Sequence, residues 1–270
     1  MQAPAPIPET SRKKRRASPR QPSRGRGLAR YAALLDAAHD LLKREAPDAI
    51  GLYQIAERAG VPPASAYHFF PTKEAAYVGL AERYCDEIVR IHSVPIPARD
   101  IANWQDVFRI DLRRAMAYFN SEPSAMKILY GGYGGVEARN IDKIFSRKLA
   151  QANYSRLDKI FHMPVMRDAE KKFELRLAIL DSIWEVSVRR HGHITEDYFT
   201  EALDACNAYI RLFLPEHLEP REILVRAMER DAVVHLHLPG DQIEISPRDI
   251  ELEHWNGDDG PSPPPPFAYS

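Results

Sequence analysis

The stretch Ile55-Ala56-Glu57-Arg58-Ala59-Gly60-Val61-Pro62-Pro63-Ala64-Ser65-Ala66-Tyr67-His68-Phe69-Phe70-Pro71-Thr72-Lys73-Glu74 holds two short helical patterns on either side of a glycine turn. Ile55, Ala56 and Ala59 share one helix face, and Gly60 supplies the left-handed backbone on which a helix ends. Pro62 and Pro63 suit the first positions of a following helix, where a missing N–H costs nothing. That helix carries Ala64 through Phe70, and Pro71 closes it. Val61 plugs the angle between the two, and Ala56 is small enough for a close crossing. Two short helices joined this way are a plan for placing the second in the major groove of DNA, although the bare spacing also occurs in helical proteins with no such role.

Working outward, Leu34, Leu35, Ala38, Leu41 and Leu42 recur at helical spacing and predict a first helix that stops before Pro47. Gly51 stands at the N-cap of the second. Downstream, Thr72 is an N-cap and Glu74 favours the positive end of a long fourth helix running toward His92.

From residue 28 to about 80 the sequence resembles the N-terminal DNA-binding domain of TetR-family transcriptional regulators, most specifically in Tyr67 to Lys73 at a fixed distance after Ala59-Gly60-Val61. The resemblance implies an all-α protein: a three-helix helix-turn-helix domain, then a six-helix ligand-binding and dimerisation domain. It implies that Tyr67 and Lys73 contact phosphates while Pro63, Ala64, Ser65 and His68 face the groove. The chain departs from the family where Gly51 replaces the usual hydroxyl residue and Pro62-Pro63 a small or polar pair. Base reading then falls more on Ser65, His68 and Tyr53, with Ala64 against thymine methyls. A tyrosine hydroxyl and a lysine ammonium beside a short helix suit contacts that set register without reading bases. Each residue has a plainer reading as well: Tyr67 as a core aromatic with its hydroxyl at the surface, His68 as a surface histidine, Lys73 as a solvated cation. Phe70 is assigned to the core outright.

Charge is divided between the ends. The formal net charge of the 270 residues is -1, yet residues 1–30 carry +8 and residues 216–270 carry -8. A basic arm before a DNA-reading element points to polyanions, and Arg24, Arg26 and Arg30 are placed to reach phosphates or the minor groove. Residues 1–26, rich in Pro, Ser and Arg, are expected to be a disordered arm. The expected divisions are a helix-turn-helix domain at 27–72, a ligand-binding and dimerisation domain at 73–215, and an acidic tail at 216–270. Within that tail, 232–238 and 242–245 alternate around Pro239-Gly240-Asp241 and suggest a small hairpin.

The body reads as helical, with joints at Pro95, Pro97, Pro123, the Gly131–Gly135 cluster, Pro164 and Gly192, so that nine helices are expected in all. Trp104, Phe108, Met116, Met126, Tyr130, Tyr133 and Trp184 are candidate pocket residues, because mixed aromatic and methionine linings suit apolar ligands; core packing is the alternative. For a homodimer, Phe173, Leu177, Leu180 and Trp184 on one helix and Phe199, Leu203, Cys206, Ile210 and Phe213 on the next offer apolar faces.

Cys85 and Cys206 read as reduced core residues, and the pairs His191/His193 and His235/His237 lack partner ligands at metal spacing. No cofactor or metal is expected, and no membrane span or signal peptide is read, which places the protein in the cytoplasm or on the nucleoid. The expected partners are double-stranded operator DNA and a small effector. The function expected is that of a regulator, a repressor released by an apolar or aromatic ligand. The alternative is a helical enzyme acting on an apolar substrate, for which a +8 arm beside a helix-turn-helix has no evident use.

Overall fold

The computed structural model describes residues 19–23, 25–131 and 135–236, with the side chains of 135–144 and 147 outside the description. Three helices build the front of the molecule. α1 (Gly25–Arg44) buries the stripe Leu34, Leu35, Ala38, Leu41 and Leu42. α2 (Leu52–Arg58) and α3 (Pro63–Phe69) follow a single turn of 3-10 helix at Pro47–Ala49. Gly60 has φ +63, a conformation that strains other L-residues, and lets the Val61 N–H return to the Ala56 carbonyl at 3.0 Å. Pro63 stands at N1 of α3 without losing a bond, and the Pro62 carbonyl accepts from Ser65 N–H at 2.8 Å.

α4 (Lys73–Ser93) starts at Thr72, whose hydroxyl accepts from Ala75 N–H at 3.2 Å, and it is buried along most of its length. The body continues with α5 (Trp104–Ser121), opened by a capping box of Asn103 and Asp106, then α6 (Pro123–Leu129) and α7 (Gly135–Ile160). α8 (Ala169–His191) ends at Gly192 with φ 75, and α9 (Glu196–Arg211) is capped by Thr195. α8 packs between α7 and α9, and one continuous core runs from α1 to the C-terminal part of the described chain.

Three differences from the sequence reading stand at the edges. First, residues 19–23 are not a free arm: Arg20 N–H donates to the Phe69 carbonyl at 2.8 Å and Gln21 Nε2 to Glu82 at 2.8 Å. Residues 1–18 and Arg24 lie outside the described residues.

Second, a tenth helix, α10 (Glu222–Glu229), follows α9, and residues 216–236 are stitched to the body instead of trailing as an acidic tail. Leu218, Leu224, Val234 and Leu236 are buried, Arg221 pairs with Asp158 at 2.8 Å, and His162 N–H donates to the Glu219 carbonyl at 2.9 Å. Net charge is a property of this segment's surface and says nothing of its spaced apolar residues, which are enough to hold it down.

Third, Val233–Val234 (β2) pairs antiparallel with Ile96–Pro97 (β1), Ile96 opposite Val234. The strand expected to turn back on itself thus pairs with the α4–α5 connection, and its expected partner at 242–245 lies outside the described residues.

Candidate nucleic-acid interface and internal cavity

On α3, Ala66 and Phe69 point into the core, and Phe70 just beyond it meets Tyr31 ring to ring at 4.8 Å. Helical geometry then turns Pro63, Ala64, Tyr67 and His68 outward together, and all four are exposed, Tyr67 by 53%. Ser65 is half-buried beside them. Tyr53 on α2 is 63% exposed, and Arg26 and Arg30 are exposed on α1. The residues named from the sequence thus meet solvent on all three front helices.

Lys73 behaves differently. Its ammonium donates to the carbonyls of Pro47 and Asp48 at 3.3 and 3.1 Å, and the Tyr77 hydroxyl donates to Pro47 at 2.8 Å. The start of α4 is thereby fastened to the α1–α2 connection, so any phosphate contact by Lys73 shares its ammonium with these two carbonyls.

Behind α4 a cavity of about 190 Å³ opens between α4, α5, α6, α7 and α8. Of the residues expected from the sequence, Phe108, Tyr130 and Trp184 line it, beside Leu112, Phe119, Leu177 and Leu180. Trp104, Met116 and Met126 are core residues outside this lining; the Trp104 indole N–H donates to the Pro215 carbonyl at 2.9 Å. Tyr133 lies outside the described residues.

The polar part of the lining goes beyond the sequence reading. His92, Asp111, Asn153 and Arg176 all reach the cavity and all are buried. Arg156 binds both oxygens of Asp111 and donates its Nε to the Leu236 carbonyl at 2.9 Å. Burial works to raise the Asp111 carboxyl, but Arg156 and His92 outweigh it and hold it below its ordinary value. Burial pushes the His92 imidazole down, and its Nδ1 meets the Ile88 carbonyl at 2.8 Å. Arg176 stacks its guanidinium 3.7 Å over the Phe108 ring, with Nε and Nη2 buried and without a hydrogen-bond partner among the described residues. A signal for these residues existed: Asp111 interrupts the apolar run Phe108-Leu112-Ala115, and Arg176 interrupts Phe173-Leu177-Leu180.

Among the described residues, α4 and α6 connect cavity and front helices. α4 lines the cavity with Ile88 and His92 and holds the α1–α2 connection with Lys73 and Tyr77. α6 reaches the cavity at Leu129, with Tyr130 just beyond it, while Ser124 donates to the His39 carbonyl of α1 at 3.0 Å and Lys127 donates to the carbonyls of Leu42 and Glu45.

The faces expected to join two copies are interior. Phe173, Leu177, Leu180, Trp184, Phe199, Cys206 and Ile210 are buried within one chain, while Leu203 and Phe213 are half-buried. The outer face of α8 presents Leu175, 44% exposed, with half-buried Ile179 and Ile183, and Leu212 just beyond α9 is 71% exposed. Apolar residues lie on both sides of α8, and only packing decides which side looks inward.

Cys85 and Cys206 are buried and form no disulfide among the described residues. His193 Nδ1 meets the His191 carbonyl at 3.0 Å; His237 lies outside the described residues. No helix among the described residues is long and apolar enough to cross a membrane.

Residues 34–77 match the family described as "Bacterial regulatory proteins, tetR family". No curated protein matches the sequence. Among solved structures, a TetR-family transcriptional regulator from Streptomyces coelicolor superposes with a TM-score of 0.53 at 22% identity, over 70% of this chain and 99% of that one. A TetR transcriptional regulator from Rhodococcus sp. RHA1 gives 0.51 at 18% identity, over 67% and 95%.

Proposed function

Starting from an N-terminal domain that matches the TetR family and a body with the fold of that family's regulators, we propose that the protein is a sequence-specific DNA-binding transcriptional regulator. It binds its operator as a homodimer and is a repressor released by a small molecule held in the cavity. The observation that carries this reading is the outward face of α3, where Pro63, Ala64, Tyr67 and His68 stand exposed side by side behind the Gly60 turn. Tyr67 and Lys73, with Arg26 and Arg30, contact phosphates, and Arg24 joins them from the position just before α1. Ser65, His68 and Tyr53 reach base edges, and Ala64 meets thymine methyls.

Two copies join through the outer faces of α8 and α9, placing two α3 helices in successive major grooves about 34 Å apart. The effector acts by changing that spacing through α4 and α6, which touch both the cavity and α1 or its connection. The divisions of function follow: residues 27–72 read DNA, and the body from 73 onward, with 216–236 included, binds ligand and partner.

Selection of bound duplexes from a random library tests the reading. A two-fold symmetric site is expected, with Tyr67→Phe weakening every sequence alike and His68→Ala and Ser65→Ala relaxing preference at individual positions. Enrichment of no sequence over the starting library would refute it.

A further inference from the structure

Asp111 and Arg176 are buried charged groups of the cavity lining, Arg156 is buried behind Asp111, and Arg176 is the one left over. Arg156 occupies both oxygens of Asp111, at 2.6 and 3.1 Å. Arg176 is 1% exposed, its Nε and Nη2 lack partners among the described residues, and an arginine keeps its charge. Such a charge is costly to bury alone, and stacking on Phe108 offsets only part of the cost. Stacking uses the flat face of the guanidinium and leaves its N–H edge, the edge that grips a carboxylate at two points. A second donor in the same lining, the Trp184 indole N–H, is also buried without an acceptor among the described residues. Two residues of the lining therefore carry buried donors in want of acceptors among the described residues, and much of the rest is Leu112, Phe119, Leu177 and Leu180.

Size limits the occupant. A cavity of roughly 150 Å³ holds a benzene ring, and this one measures about 190 Å³. The other acids of the lining are engaged or outward: Asp181 accepts from the Tyr130 hydroxyl at 3.2 Å, and Glu185 is exposed. We propose that the cavity binds a small apolar monocarboxylate, of about one aromatic ring or a short aliphatic chain, with its carboxylate on the free edge of Arg176. The proposal rests on the cavity being the effector site, and it replaces a purely apolar effector by an anionic one. A neutral molecule of the same shape leaves the buried guanidinium unmatched.

Calorimetric titration of the full chain, without DNA, compares phenylacetate, benzoate and hexanoate with their primary amides. At least one acid is expected to bind, to raise the melting temperature, and to bind about tenfold or more tighter than its amide. Arg176→Met should abolish that preference while keeping or raising the melting temperature of the empty protein, since it removes an unmatched charge. Arg176→Lys, which keeps the charge without the two-point grip, should fall between. Amides binding as tightly as acids, an acid affinity unchanged in Arg176→Met, or no binding by any member of the panel would each overturn the proposal. Should a variant fail to fold, the acid and amide comparison in the unaltered chain decides alone. Adding the bound acid to the protein–DNA complex is a separate arm. Binding to the cavity with no effect on the complex leaves the carboxylate site standing and removes release by ligand, and absence of any DNA binding removes the regulator reading alone.

Discussion

Arg156 and Asp111 face each other across α7 and α5 with two hydrogen bonds, at 2.6 and 3.1 Å, and with only 1% and 3% of their side chains exposed. The pair holds Asp111 where it lines the cavity, and the Nε of Arg156 reaches the Leu236 carbonyl, so the end of the described chain is tied to the same point.

Removing one partner of this pair should therefore cost far more than removing both. Asp111→Ala leaves a second buried guanidinium unmatched and should destabilise the protein by about 3–5 kcal/mol, whereas Asp111→Leu with Arg156→Met should recover most of that stability. Urea unfolding of the three proteins checks it; a double variant less stable than Asp111→Ala would contradict it.

Acidification should destabilise the protein before its carboxylates titrate. His92 is fully buried among Asp111, Arg156 and Arg176, and burial lowers its folded pKa below the ordinary value. Burial lowers His39 also, with Glu122, Lys43, Arg83 and Asp40 around it. The unfolded chain then takes up protons that the folded one does not, so this stability is complete above about pH 6.5 and falls as pH drops through the folded values. The urea midpoint should decline from about pH 7 to pH 5, and His92→Gln should flatten part of that decline. An unchanged slope would remove His92 as its source.

Gly60 and Gly79 should respond to alanine for different reasons. At Gly60 a Cβ meets nothing within 4 Å, so the cost is that of φ +63 alone, about 1–2 kcal/mol. At Gly79 a Cβ would lie 2.8 Å from the Tyr31 hydroxyl and 3.2 Å from Leu35, where α4 crosses α1, and overpacking of this kind costs about 1–3 kcal/mol. Gly79→Ala should in addition disturb DNA affinity, because Tyr31 supports Phe69 and Phe70 at the end of α3. Thermal unfolding and DNA titration separate the two.

Ile183→Glu, on the outer face of α8, should give a monomer by sedimentation at micromolar concentration with its helical content intact. Leu180→Glu, pointing inward from the same helix, should instead unfold the chain. A dimeric Ile183→Glu protein would move the interface elsewhere.

Deleting residues 1–18 should weaken DNA binding without changing the preferred site. Arg12, Lys13, Lys14, Arg15 and Arg16 lie there, and each phosphate that the shortened chain no longer neutralises lowers the slope of log K against log salt by about 0.9. Removing residues 19–23 as well should also lower the melting temperature, because Arg20 and Gln21 bind Phe69 and Glu82. An unchanged salt slope in the first deletion would leave residues 1–18 without a role in binding.

The helix-turn-helix was legible because each of its determinants is local. Gly60 must take the left-handed turn, Pro63 fits N1, Thr72 caps α4, and the apolar spacing of α1 puts Leu34, Ala38 and Leu42 on one side. These preferences act over a few residues and survive whatever the rest of the chain does. The exposed side chains of α3 followed from the same periodicity, by subtraction of the buried ones. What the sequence left open is set by contacts between residues far apart in the chain. Whether α8 buries Leu180 or Ile183 depends on which side α7 and α9 occupy, since its apolar residues cover both. β2 finds β1, more than 130 positions earlier in the chain, because residues 224–236 are held against the body by Leu224, Leu236 and the Arg156 bond. Among the described residues the Nε and Nη2 of Arg176 stand unmatched, because Asp111, on another helix, is already taken by Arg156. Local preference acts through the backbone within a turn or two, whereas burial and the matching of charge are properties of surfaces that exist only once the helices have packed.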